Sequence, residues 1–165
     1  MRSGRLLAAA AVCVLLAGGC TSPEQGHDEA LVTVEDAWAT AAETGMAAVF
    51  GTLTNAGQRD AVLVSGDSTD AARVEIHEVV SDTDGAKTMR PKPGGLTIPA
   101  GGTHALVPGG DHLMLMDLKH PLTPGSDVTV TVAFEDGSTL PVTAQVRDFA
   151  GASEPYQGAP SHDHG

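Results

Sequence analysis

Three residues spaced two apart, His112, Met114 and Met116, are the first feature of this chain that could do chemistry. In an extended strand alternate side chains share a face, so one imidazole and two thioethers would line up on one side. Leu113 and Leu115 would then point the other way, into a core. Imidazole nitrogen and thioether sulfur make a soft, uncharged donor set, which favours Cu(I) and gives Zn(II) or Cu(II) little from sulfur. Methionines at this spacing are also ordinary core filler. Two residues upstream weigh towards metal. His77 and Met89 stand in segments of their own, Met89 following His77 by 12 positions and His112 following Met89 by 23.

The elements that must position these residues are short β-rich runs, separated by turn residues, with no long helical period. Leu31 to Val34 leads into Ala37 to Ala39; Met46 to Thr54 is stopped by Asn55-Ala56-Gly57; Ala61 to Ser65 and Arg73 to Val80 follow. Leu96 to Ile98, Thr103 to Val107 and Leu113 to Leu118 are set off by Pro-Gly punctuation, and Asp127 to Phe134 and Leu140 to Val146 flank a turn at Glu135 to Ser138 as a hairpin. A single helical turn is expected near Ser68 to Ala72. Strands at this spacing indicate an all-β, antiparallel sandwich or barrel. Large aromatics are few (Trp38, Phe50, Phe134, Phe149 and Tyr156), so Val, Leu, Ile, Ala and Met must fill the core. Beyond Phe149 the chain turns Gly-, Pro- and His-rich, as a flexible tail over 150–165 would.

The N-terminus reads as a targeting segment. Arg2 and Arg5 precede an apolar run, Leu6 to Ala17, too short for a permanent membrane span, and Leu16-Ala17-Gly18-Gly19-Cys20 resembles a bacterial lipobox. This divides the chain into a leader (1–19), a membrane tether (20–30) starting at a lipidated Cys20, one folded domain (31–149) and the tail. Losing Arg2 and Arg5 leaves 7 basic against 21 acidic residues, a net charge near −14, which argues against nucleic-acid partners. Of the 2 cysteines, Cys13 leaves with the leader and Cys20 carries lipid. No thiol remains, which excludes disulfides, cysteine nucleophiles, thiolate zinc sites and blue-copper centres. Nothing resembles a nucleophile–base constellation, so an enzyme is not expected.

The pattern of His77, Met89, His112 and Met114 resembles the periplasmic copper chaperone family called PCuAC. The resemblance runs over roughly Val32 to Val146 and includes Ala37-Trp38, Met46 to Asn55, Val74 to Glu78 and Pro108-Gly109-Gly110. Glu78 stands where many members carry methionine, and the loop between Met89 and His112 is one residue longer than usual. The resemblance implies a cupredoxin-like, Greek-key β-sandwich that holds Cu(I) at an exposed end. It implies His77, Met89, His112 and Met114 as ligands, with Met116 open to either packing or ligation. It further implies an exported protein, lipid-anchored on the outer face of the cytoplasmic membrane, that supplies copper towards the CuA centre of cytochrome c oxidase alongside a Sco-type protein. Neutral ligands suit a carrier that must yield its metal to a thiolate-bearing acceptor. The competing readings are a scaffold lipoprotein without metal, or sequestration of copper for tolerance. His104 and His120 read as surface or packing residues. His162 and His164, with Asp163 between them, form either a solvated tail or an accessory Cu(II) site.

Overall fold

A computed structural model describes residues 31–151 and 155–157 of the chain. The leader, the tether with Cys20, and the tail histidines His162 and His164 lie outside the described residues. Ten strands are present and, among the described residues, no helix: β1 (Val32–Thr40), β2 (Ala47–Asn55), β3 (Ala61–Asp67), β4 (Ala71–Ser81), β5 (Lys87–Pro91), β6 (Leu96–Ile98), β7 (Thr103–Leu106), β8 (His112–Leu118), β9 (Asp127–Phe134) and β10 (Thr139–Arg147). Seven of them close a barrel in the order β4-β8-β2-β1-β10-β9-β3, with β3 meeting β4 again. β5, β6 and β7 hang on β4, β3 and β2 respectively. Every pairing is antiparallel except β1 with β10.

The period-two pattern sorts side chains onto two apolar clusters. The barrel interior takes Leu53, Leu63, Ile76, Leu96, Ile98, Leu113, Leu115, Val128, Val130, Val132 and Phe134 among others. The outer face of β5-β4-β8-β2 carries a second, smaller cluster: Ala48, Phe50, Met89, Met114 and Met116, with Trp38, Val79 and Tyr156 packed against it. Leu113 and Leu115 thus face the core and Met114 and Met116 the opposite side, as strand alternation requires.

A bulge fits β1 to that outer face. The register between β1 and β2 shifts between Glu35 and Trp38, with Asp36 at a φ of 52°. One extra residue reverses the alternation, so Trp38 pairs with Phe50 on the outer side while Ala39 pairs with Val49 in the core. Gly51 lies under this bulge. A Cβ there would stand 3.2 Å from the Ala37 Cα and the Glu35 carbonyl oxygen, which leaves little room for any other residue.

Two expectations differ from the structure. The segment 68–72 is not helical: Ser68 accepts from the Asp70 N–H and donates to the Thr129 carbonyl, forming a turn that feeds directly into β4. β5 has no counterpart among the expected strands, because Lys87-Thr88-Met89-Arg90-Pro91 offers one buried apolar residue and no alternation.

Candidate metal centre

β4 and β8 run antiparallel with His77 opposite His112, Glu75 opposite Met114 and Arg73 opposite Met116. The two imidazole centroids are 5.5 Å apart, with planes at 72°. Met89 reaches the same face from β5, opposite Val79, two residues beyond His77. His77, Met89, His112 and Met114 are 0%, 4%, 3% and 3% exposed. The structure therefore brings the four sequence-singled residues to one face, with Met116 in the same cluster. Their side chains are buried.

Each imidazole is oriented by a different acceptor. His77 donates Nε2–H to the Glu75 carboxylate at 2.8 Å, which leaves the lone pair on Nδ1. That nitrogen is buried and has no hydrogen-bond partner among the described residues. His112 donates Nδ1–H to the Gly110 carbonyl at 2.9 Å, which puts its lone pair on Nε2. A metal-binding histidine commonly donates its other ring N–H to a carboxylate or carbonyl in this way, fixing tautomer and ring plane.

The charges around Glu75 hold it ionised. Burial alone would raise its carboxyl, but hydrogen bonds from His77 and Arg73 outweigh burial and bring it below the ordinary carboxylate range. Tyr156 donates its hydroxyl to the same Glu75 oxygen at 3.3 Å and stacks on His77, centroids 5.2 Å apart and planes within 5°. Burial first and the Glu75 charge second push this phenol above its usual value, so it stays a donor.

Glu78 is committed elsewhere. It lies on the alternate face of β4 from His77 and is held by Arg90 and Lys92 at 3.0 and 3.1 Å. Lys92 also reaches Asp111, which in turn takes His104 at 3.0 Å. His120 pairs with Asp70 at the surface.

A family model described as "Putative lipoprotein LpqE-like" matches residues 32–146. The chain belongs to the LpqE-like family. This is the PCuAC-type family that the His and Met spacing resembles. A protein of Leifsonia xyli subsp. xyli named "Putative lipoprotein Lxx21020" is 42% identical to this LpqE-like chain over 165 residues, covering 95% of the chain and 99% of that relative. Among solved structures, the "Copper-bound PCuAC domain from PmoF2" superposes with a TM-score of 0.59 at 21% identity, over 72% of this chain and 93% of that one. "CuI-DR1885 from Deinococcus Radiodurans" gives 0.55 at 33% identity, over 78% of this chain and 87% of that one. The fold is the cupredoxin-like β-barrel of these PCuAC domains.

Three parts of the site in this LpqE-like chain escaped sequence reasoning. Glu75 was legible in principle, since it precedes His77 by two and must share its face. The Gly110 carbonyl carries no side-chain signal. Tyr156 falls within the expected flexible tail, yet it forms a parallel bridge with Met89. Within the expected tail, residues 155–157 are described and lie against β5.

Proposed function

We propose that this LpqE-like protein is an extracytoplasmic copper chaperone that carries one Cu(I) ion on His77, Met89, His112 and Met114. The observation that carries the reading is the His77 ring. Its Nε2–H is spent on Glu75, and its Nδ1 lies buried without a hydrogen-bond partner among the described residues. Leaving such a nitrogen unsatisfied costs about 1–3 kcal/mol, which ligation of a metal would offset. An imidazole nitrogen lies ~2 Å from a bound late first-row metal, so two rings sharing one ion have centroids within roughly 6 Å. The 5.5 Å separation of His77 and His112 meets that limit. Thioethers from Met89 and Met114 then complete a soft, uncharged set that favours Cu(I). The Cu(I) form of the 33%-identical DR1885 supports the same metal here.

Two imidazoles and two thioethers suit carriage better than redox cycling, so the role is transfer rather than catalysis. The relative named as a lipoprotein supports an anchor at Cys20 and a place on the outer face of the cytoplasmic membrane. The acceptor in this reading is the CuA subunit of cytochrome c oxidase, with a Sco-type protein as co-donor. His162 and His164 would form a separate Cu(II) site, to be checked by electron paramagnetic resonance on full-length and tail-truncated protein.

Titration of the purified domain with Cu(I) against a competing chelator tests the core of the proposal. One ion per chain is expected. His77→Ala and Met114→Ala should each weaken binding at least tenfold, ~1.4 kcal/mol, with Met116→Leu within about twofold of wild type on the same scale. Absence of stoichiometric binding would leave the scaffold reading in its place. Copper content of the oxidase in cells lacking the protein tests the acceptor.

A further inference from the structure

β5 is the end strand of its sheet, paired on one side to β4 alone. Its outer edge is occupied by the chain's own C-terminal segment. The Met89 N–H donates to the Pro155 carbonyl at 3.0 Å, and the Gln157 N–H donates to the Met89 carbonyl at 2.9 Å. Between those two bonds, Tyr156 lays its ring on His77 and its hydroxyl on Glu75. Upstream, Phe149 packs edge-on against Trp38 with centroids 5.0 Å apart. Phe149 and residues 155–157 are thus each held against the outer cluster.

These contacts converge on the metal centre by separate routes. Residues 155–157 hold Met89 by its backbone, His77 by its ring face, and the carboxylate that orients His77 by a hydrogen bond. The Glu75 oxygen that accepts from Tyr156 is also the one that accepts from the His77 Nε2–H. With Tyr156 in place, both His77 and Met89 are at most 4% exposed.

We infer that Tyr156 is a further residue of the metal site: it forms the outer wall over His77 and Met89, and through Glu75 helps hold the His77 ring in its ligating orientation. This rests on the proposed Cu(I) reading and extends it to how the ion leaves. Two backbone bonds, one side-chain bond and one ring face are a small set beside the strand pairings beneath them, so residues 155–157 can open locally while the barrel stays intact. An acceptor that takes the metal from this side must displace Tyr156.

The test uses the full chain as wild type, Tyr156→Phe and Tyr156→Ala. Each is loaded with one Cu(I), and release into excess Cu(I)-selective chelator is followed by stopped flow. Amide exchange of Met89 is measured in parallel on the apo proteins. Tyr156→Ala is expected to release Cu(I) at least tenfold faster and to expose the Met89 amide. Tyr156→Phe keeps the ring face but loses the Glu75 bond, so its release rate should fall between the two. Release rates agreeing within twofold across the three proteins would overturn the inference, even if Tyr156→Ala lowers the melting temperature. If wild type takes up no Cu(I), the carrier reading itself fails, and the wall fails with it.

Discussion

His77 and His112 are register partners on neighbouring antiparallel strands, yet their rings are set by unlike acceptors, a carboxylate for one and a backbone carbonyl for the other. The pairing places two imidazoles on one face without any loop having to fold around a metal first. Because both ride on the closed barrel, their spacing is defined by strand register rather than by loop closure, which is the rigid mounting that a preorganised site needs. The difference between the acceptors has a consequence. A backbone carbonyl cannot be altered by mutation of its own residue, whereas the Glu75 carboxylate can, so the His77 half of the site is the half open to tuning.

Glu75→Gln tests that tuning. The amide oxygen can still accept the His77 Nε2–H, but the negative charge that strengthens the bond is gone. Cu(I) affinity should fall about tenfold, the low end of what loss of such an orienting partner costs. Chelator competition measures it, with a thermal melt to show that the barrel persists. An unchanged affinity would mean that the carboxylate holds the ring in place without influencing the ligand.

Much of this arrangement was legible in the sequence because strand alternation has a period of two. Leu113 and Leu115 against His112, Met114 and Met116 is the pattern of a strand with an apolar residue on both faces, and the structure separates them as that pattern requires. What stayed hidden has physical reasons. β5 gains its place from the edge of β4, not from its own polar sequence. The bulge at Asp36 that swings Trp38 to the outer face has no marker other than Gly51 on the facing strand. Tyr156 sits among Gly and Pro residues, so composition points to a loose tail. Only its long-range contacts with Met89 and His77 reveal the site.

Glu78 makes a pH-dependent contribution whose sign follows from its partners. Burial would raise its carboxyl, but hydrogen bonds from Lys92 and Arg90 outweigh burial and leave it below its usual value. A carboxyl with a folded pKa below the unfolded one, ~4.3, stabilises the fold fully above that pH and ceases to do so as pH falls through the folded value. Glu78→Gln should therefore cost about 0.5–1 kcal/mol near neutrality, as a partly exposed ion-pair network does. The gap to wild type should narrow between neutral pH and an acid pH below the ordinary carboxylate range. Urea unfolding of the two proteins at both pH values checks this; a gap that persists in acid would assign the effect to packing.

Gly94 and Gly95 separate backbone conformation from steric room at adjacent positions. Their φ angles are 77° and 78°, so either substitution by alanine forces an L-residue into the left-handed region, at about 1–2 kcal/mol. At Gly94 a Cβ meets nothing within 4 Å, and that strain is the whole cost. At Gly95 it would stand 2.3 Å from the Leu63 carbonyl oxygen, where β3 pairs with β6. Leu63 is fully buried in the barrel, so β3 cannot retreat without opening the core. Gly94→Ala is expected to lose no more than about 2 kcal/mol, whereas Gly95→Ala should lose that and at least as much again, on the order of 3 kcal/mol or more. Chemical denaturation of both variants measures the difference. Equal losses would show that the loop carrying Gly95 moves away from β3 at little cost.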